Sequence, residues 1–268
     1  MTSEATRQPG WAGDEYAQSS SHHRVYDDWF LAQRPPVPSD HVIDAGCGSG
    51  EFTAVLAGLV PDGHVLGVDP DASMLEAAAR HWADNLEFRQ GRIQDLDHVC
   101  EPESVNLVVS RAVFHWIPFA DYVRCYRAIF VVLRPGGWLH AESGGAGNVR
   151  HFRPLLSEVA TQLGLKPETV TFPDAGSVLE LLEQVGFEVP PSGVTTVAQR
   201  RPFDREQLLA WVRTQAYVAY GVHPSDDLHT RFVNAVGDRI DEARRHDGTY
   251  DQTFVRLHVL ARRPTKDS

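Results

Sequence analysis

Residues 42–53, with the sequence VIDAGCGSGEFT, join a short apolar segment to a helical segment through a glycine-rich loop. The glycines Gly46, Gly48 and Gly50 follow a G-x-G-x-G spacing, and Asp44 stands two residues before the first of them. Glycine permits a tight turn from a strand into a helix and lets a ligand approach the backbone N–H groups. The stretch therefore predicts a ligand-binding loop at the carboxyl end of a β-strand. The alternative is a glycine turn that only tightens the joint between strand and helix.

The glycine spacing differs from two common phosphate-binding loops. A dinucleotide fingerprint has the spacing G-x-G-x-x-G, and a P-loop ends in Gly-Lys followed by Ser or Thr, whereas Glu51 follows Gly50 here. The next apolar segment ends in Asp69, a position from which a carboxylate can accept hydrogen bonds from ribose hydroxyls. Asp44 would repel a pyrophosphate but suits a cation. Together these features favour a nucleoside with a positively charged, amino-acid-like extension, which describes S-adenosylmethionine.

Apolar segments alternate with amphipathic segments on both sides of this loop. We expect strands at residues 42–44, 65–68, 86–88, 105–109, 138–141, 194–198 and 254–261, and helices at 53–59, 72–82, 119–133, 149–163, 177–185, 205–220 and 227–245. Short apolar strands that alternate with helices are typical of a parallel sheet covered on both faces. The pattern predicts an α/β fold, a doubly wound, seven-stranded, mostly parallel sheet with helical insertions in the C-terminal half.

The order of these segments along the chain also predicts its domain organisation. We expect a flexible tail over residues 1–15 and a single domain over 16–268. Within that domain, residues 36–145 form the predicted cofactor-binding core, and 146–175 and 204–250 form helical insertions on the substrate side. Insertions of this kind are where substrate loops usually lie.

Four segments in chain order resemble the motifs of the class I S-adenosylmethionine-dependent methyltransferases. They are residues 42–53, VLGVDPDASML at 65–75, GRIQDL at 91–96 and LRPGGWL at 133–139. The resemblance implies a Rossmann-like fold, S-adenosylmethionine as cofactor, and transfer of a methyl group to an O, N or C nucleophile of a small molecule, such as a carboxylate or hydroxyl. Two alternatives stay open: a non-catalytic module that binds S-adenosylmethionine and, less favoured, an NAD(P)-dependent oxidoreductase.

The resemblance also implies which residues hold the cofactor. Asp44 and the loop around Gly46, Cys47 and Gly48 line the methionine end, Asp69 and Pro70 meet the ribose, and Met74, Arg92, Ile93 and Gln94 surround the adenine. Many members of the family have an acid where this chain has Arg92, and a guanidinium cannot accept a hydrogen bond from the adenine amino group. That role then passes to a backbone carbonyl, Gln94 or Asp95.

The fourth predicted strand ends next to the expected methyl-transfer site. Ser110 and Arg111 end that strand and face the cofactor crevice, and His115 follows as a candidate general base for an alcohol or amine acceptor. The alternative for His115 is a structural histidine that shapes the pocket. Trp116 is a candidate wall of the acceptor site, and Glu142 either orders the acceptor or is a surface carboxylate.

The N-terminal segment and residues 111–118 resemble a branch that contains trans-aconitate and juvenile hormone acid methyltransferases. Tyr16, His23 or Arg24, and Trp116 stand where that branch has groups that clasp the cofactor or an acceptor carboxylate. The resemblance implies cofactor contacts for Tyr16 and Arg24 and an acceptor contact for His23. His23 stands where a Gln is expected.

The composition excludes several classes of protein. The 268 residues include 25 Lys and Arg against 36 Asp and Glu, a formal net charge of −11, which disfavours a nucleic-acid partner. Three widely spaced cysteines favour neither a disulfide framework nor a zinc site, so we expect no metal. No apolar run is long enough to span a membrane, and the N-terminus lacks a signal-peptide layout. We expect a cytoplasmic monomer or homodimer that acts on a small-molecule acceptor.

Overall fold

The computed structural model describes residues 27–166 and 169–266. The strands are β1 (His41–Ala45), β2 (His64–Asp69), β3 (Leu86–Gln90), β4 (Val105–Arg111), β5 (Leu133–Gly144), β6 (Val194–Phe203) and β7 (Tyr250–Arg262). The α-helices are α1 (Asp27–Gln33), α2 (Glu51–Leu59), α3 (Ala72–Ala78), α4 (Leu96–Val99), α5 (Tyr122–Val132), α6 (Arg153–Gln162), α7 (Ala175–Val185), α8 (Arg205–Thr214) and α9 (Asp227–Arg239). No helix in these two ranges has the length and apolar character needed to cross a membrane.

The strands form one seven-stranded sheet in the order β3-β2-β1-β4-β5-β7-β6. Strands β1 to β5 pair in parallel, and β7 runs antiparallel to both β5 and β6. The order changes direction between β1 and β4, and ligands of open α/β sheets bind beyond the carboxyl ends of the strands at such a point. The predicted doubly wound, mostly parallel sheet of seven strands is confirmed.

Several elements begin or end away from their predicted positions. β6 and β7 form an antiparallel ladder that reaches the pair Phe203↔Tyr250, so both strands are longer than their apolar patterns suggest. The helix predicted from residue 149 begins only at Arg153, because Val149 has a left-handed φ of 46°. The helix predicted over 205–220 breaks at Gln215, and a short 3-10 helix follows over Ala216–Tyr220.

Apolar side chains from different parts of the chain fill separate cores. One face of the sheet packs against α5 and α7, and the other packs against α1 and α2. Helices α6, α8 and α9 pack on one another and on the 3-10 helix Ala216–Tyr220, around buried residues such as Phe232 and Tyr217. The predicted insertion regions therefore contain helices with a shared core of their own.

Candidate functional site

The glycine loop after β1 is tied to the end of β2. The N–H groups of Gly46 and Cys47 donate to the Val68 carbonyl over 2.7 and 3.1 Å. Gly46 has a φ of +82°, and a Cβ placed on it would lie 2.3 Å from a methyl carbon of Val113. Gly48 has a φ of +53°, and a Cβ placed on it would meet nothing within 4 Å. The loop therefore packs tightly against Val113 at Gly46, whereas the space beside Gly48 is open to a ligand.

Asp44 is a buried carboxylate beside this loop. It lies near the carboxyl end of β1 with 2% of its surface exposed, and the Thr53 hydroxyl in the first turns of α2 donates to its Oδ2 over 2.7 Å. Burial raises the pKa of Asp44 to about 6, although the Thr53 hydrogen bond and the charge of Arg111 act in the opposite direction. A cation at this position would favour the ionised carboxylate.

Asp69 is a second buried carboxylate at the end of β2. The Gly48 N–H donates to its Oδ2 over 3.0 Å, and the Asp71 N–H donates to its Oδ1 over 2.9 Å. Burial raises the pKa of Asp69 to about 6. Each carboxylate oxygen keeps a lone pair for a further donor such as a ribose hydroxyl. The Asp69 carboxylate therefore lies beside the open position at Gly48, where it can accept hydrogen bonds from the hydroxyl groups of a nucleoside.

The residues predicted around the adenine differ in exposure. Met74 and Ile93 are buried, at 3% and 4% exposed, and can provide an apolar surface. Arg92 is exposed and Gln94 is half-buried. Arg124 forms an ion pair with Asp95. The assignment of these residues to the adenine, and the acceptor for its amino group, stay predictions.

Ser110 and Arg111 at the end of β4 hold neighbouring elements together. The Ser110 hydroxyl donates to the Ala45 carbonyl over 2.7 Å, which ties β4 to β1. Arg111 pairs with Asp27 of α1, and its guanidinium lies 4.5 Å from the centre of the Phe52 ring. The predicted contact of both side chains with the cofactor stays a prediction.

A cavity lies between the carboxyl ends of β4 and β5 and the helices of the insertion regions. Its empty space is about 720 Å³, including the solvent at its mouth. The lining residues are Ala112, His115, Trp116, Asn148, Val149, Arg153, Leu156, Val170, Phe172, Trp211, Gln215, Ala216, Ala219, Tyr220, Phe254 and Arg256. The sequence prediction that His115 and Trp116 face one acceptor site is consistent with this lining.

The hydrogen bonding of His115 argues against a role as general base. The Gly144 N–H donates to its Nδ1 over 3.2 Å, so the neutral ring carries its proton on Nε2. Burial and the nearby charge of Arg256 lower the pKa of His115 to about 3. A ring in this tautomer presents a donor, rather than a lone pair, at Nε2. The residue is therefore suited to hold an oxygen of the acceptor.

Glu142 is buried instead of lying on the surface, so its interpretation as a surface carboxylate was wrong. It is 4% exposed and pairs with Arg256, with 3.0 Å between its Oε1 and a guanidinium nitrogen. The pair joins β5 to β7, which are antiparallel neighbours. Glu142 thus neutralises a cation in the cavity wall.

Some predicted site residues lie outside the described part of the chain, and some residues of the cavity were not predicted. Tyr16, His23 and Arg24 lie outside the described residues. Among the residues that the structure describes, no group of three or more His, Cys, Asp or Glu side chains is placed to hold a metal. Sequence reasoning missed most of the cavity wall, including Arg153 and Phe172. No motif marks them. Only the expectation that the insertions carry substrate contacts pointed to their part of the chain.

Comparisons with known proteins found a family, similar sequences and a similar fold. A family model described as a methyltransferase domain matches residues 42–137. The chain is 30% identical to a trans-aconitate 2-methyltransferase of Deinococcus radiodurans over 95% of this chain and 98% of the relative. It is 28% identical to a protein of the same name from Azoarcus sp., over 94% and 99% of the two chains. The structure of the YcgJ protein of Bacillus subtilis shares the fold, with a TM-score of 0.62 and 14% identity over 90% of this chain and 99% of that one.

Proposed function

This chain belongs to the class I S-adenosylmethionine-dependent methyltransferases, and we propose that it methylates the carboxylate of a small organic acid to form a methyl ester. The observation that carries the choice of acceptor is the polarity of the cavity. Its lining includes four side chains that carry N–H donors, Arg153, Arg256, Asn148 and His115, and no Asp or Glu of the described residues lines it. A site rich in donors selects a ligand rich in acceptors, such as a carboxylate.

The relatives support the same choice. Two similar proteins that align over nearly their whole length are named trans-aconitate 2-methyltransferases, after an acceptor that is an organic acid. The alignment extends through the insertion regions that line the cavity, beyond the cofactor-binding core.

The cofactor site follows from the residues at the carboxyl ends of β1 and β2. Asp44 and the backbone around Gly48 would hold the charged methionine end of S-adenosylmethionine, Asp69 the ribose, and Met74 and Ile93 the adenine. When bound, this cofactor supplies a methyl group activated by a sulfonium. The two buried carboxylates with raised pKa values and the open space at Gly48 fit such a cation.

A carboxylate acceptor fits the chemistry of the wall because it needs no general base. A carboxylate that accepted a methyl group at one of its oxygens would become a neutral ester, so no proton would have to be removed from it. His115 and Arg153 would hold and orient the carboxylate through hydrogen bonds. The helices of the insertion regions form part of the cavity wall and would reduce the access of water to a bound acceptor. Alignment and dehydration are the main contributions left to the protein.

The proposal is tested by the chemical class of the product. The purified protein is incubated with methyl-labelled S-adenosylmethionine and a panel of acids, phenols and amines. A methyl ester releases labelled methanol on mild treatment with base, whereas an ether or an N-methyl product does not. Base-labile product from an acid supports the proposal. Exclusively base-stable products, or no product from any acceptor, would overturn it.

The cofactor assignment is tested separately by calorimetry. Asp69→Ala should weaken S-adenosylmethionine binding by at least about tenfold, because each lost hydrogen bond to a charged group costs about 1.5–3 kcal/mol. Asp62→Ala is the control, because Asp62 is an exposed acid in the turn before β2. Unchanged affinity in Asp69→Ala would contradict the ribose assignment.

A further inference from the structure

Several buried polar atoms on one face of the β6–β7 ladder have no hydrogen-bond partner among the described residues. They are Oε1 of Gln199, Nη1 of Arg201, both amide atoms of Gln252 and Nε of Arg256. Residues directly opposite each other in an antiparallel ladder point to the same face, as do residues two apart in one strand. Gln199 is opposite Phe254, and Arg201 is opposite Gln252. All four side chains therefore share the face that carries Phe254.

Gln252 is the most deeply buried of these side chains. It has 0% of its surface exposed, yet neither its carbonyl oxygen nor its NH2 forms a hydrogen bond within the parts of the chain that the structure describes. Buried polar groups of native proteins are nearly always paired, because an unpaired one loses its hydration without compensation. A buried amide in this state is suited to bind a polar group of a ligand.

Arg201 lies opposite Gln252 as a cation without an ion pair. None of the ion pairs within residues 27–166 and 169–266 includes it, whereas the neighbouring Arg200 has one. The Arg201 guanidinium lies 5.8 Å from the centre of the Phe254 ring, and that of Arg256 lies 5.4 Å from the same centre. A guanidinium beside an amide offers N–H donors that suit the oxygens of an anion.

This polar pair adjoins the cavity beside His115. Phe254 and Arg256 belong to the cavity lining, and Gln252 is the next residue of β7 on the same face, just outside that lining. The strand advances about 13 Å over the four residues from Gln252 to Arg256. Polar groups therefore stand at two separate places along this wall, with the apolar ring of Phe254 between them.

We infer that Gln252 and Arg201 form a second subsite for the acceptor, which binds a carboxylate other than the one that receives the methyl group. This inference rests on the proposed function and narrows the acceptor to an elongated acid with a carboxylate at each end. The carboxylate to be methylated lies at His115, and the apolar chain between the two ends packs on the Phe254 ring. The NH2 of Gln252 and the guanidinium of Arg201 donate to the distant carboxylate.

The inference is tested first by substrate choice in the wild-type protein. Methyl ester formation is measured for the diacids suberate and sebacate and for octanoate and decanoate, which have the same lengths and one carboxylate. We expect kcat/KM for the better diacid to exceed that for its monoacid by at least about tenfold, because the diacid gains charge-assisted hydrogen bonds. Succinate is too short to reach from His115 to Gln252 and should show no comparable advantage over butyrate.

The outcomes separate this inference from the proposed function. Equal kcat/KM for the long diacids and monoacids, or esters from other acids only, would overturn the inference and leave the proposed function standing. No ester from any acid of this panel or of the earlier one would overturn both.

Two variants then test the subsite itself. Gln252→Leu removes a buried amide that has no partner, so the ligand-free protein should become more stable, with a Tm roughly 2–4 °C higher. The same variant should raise the KM for the better diacid by at least about tenfold and leave the KM for its monoacid unchanged. A side chain with only a structural role would not combine a gain in stability with a loss of diacid binding. Arg201→Gln should raise the same KM by a similar factor.

Arg200→Gln is the matched control for Arg201→Gln. Arg200 is exposed, points to the other face of β6 and pairs with Asp251, so its loss removes the same charge beside the subsite and should change neither KM. Cofactor binding measured by calorimetry shows whether each variant is folded. Folded Gln252→Leu and Arg201→Gln variants with an unchanged KM for the diacid would overturn the subsite and leave ordered water as the partner of these atoms.

Discussion

Replacement of the buried Asp44 should stabilise the ligand-free protein while it weakens cofactor binding. Burial raises the pKa of Asp44 from 3.8 to about 6 in the folded state. Above pH 6 the carboxylate is charged in both the folded and unfolded states, and the folded state bears the cost of burying that charge. At 1.36 kcal/mol per pKa unit, this difference corresponds to about 3 kcal/mol. Below pH 3.8 the group is neutral in both states and the cost is absent.

Asp44→Asn removes this charge and keeps an oxygen that can accept the Thr53 hydroxyl. We expect the free energy of unfolding to rise by up to about 3 kcal/mol at pH 8 and by about half of that at pH 5. The corresponding increase in Tm at pH 8 is roughly 5–10 °C for a chain of this size. Urea unfolding followed by circular dichroism at pH 5, 6 and 8 measures the difference.

The same variant should bind S-adenosylmethionine at least about tenfold more weakly, because its cationic end loses a charged partner. Asp62→Asn is the control, since this exposed carboxylate lies outside the crevice, and it should change neither property. An Asp44→Asn protein that is less stable than the wild type at pH 8 would refute the reasoning. So would a stability difference of equal size at pH 5 and pH 8.

Two further predictions concern packing and pH. Gly46→Ala should lower the free energy of unfolding by about 2–4 kcal/mol, because its Cβ would lie 2.3 Å from the Val113 side chain. Gly58→Ala is the control, because a Cβ at that position would meet nothing within 4 Å. Equal urea midpoints for the two variants would contradict this explanation. His140 and His258 are buried with their Nε2 atoms 2.8 Å apart, and burial lowers the pKa of both below the usual 6.5. Below pH 6.5 the unfolded state therefore binds more protons than the folded state, and these histidines cost stability as the pH falls. His140→Gln should reduce that loss between pH 7 and 5 in urea unfolding, and a loss as steep as in the wild type would count against the histidine pair.

Local patterns were sufficient to predict the sheet and the glycine loop that follows β1. The turn at Gly46 and the carboxylates Asp44 and Asp69 lie close to the ends of strands whose apolar residues are contiguous, so neighbouring residues along the chain determine their place. The bounds of β6 and β7 were harder to predict. Their outer residues are strand because each pairs with the other across the sheet, as at Phe203 and Tyr250.

Only the tertiary structure decided how the cavity beside His115 is built. Arg153, Phe172 and Arg256 come from α6, the segment before α7, and β7, and no spacing in the sequence relates them. The sequence predicted that His115 faces the crevice, but the N–H of Gly144 determines which of its nitrogens carries the proton. The type of a residue determines which chemistry its side chain can perform. The groups that folding brings next to that side chain determine its charge and which of its atoms carries a proton. The glycine loop could therefore be interpreted from its own residues, whereas the cavity could be described only from contacts between residues that are distant in the sequence.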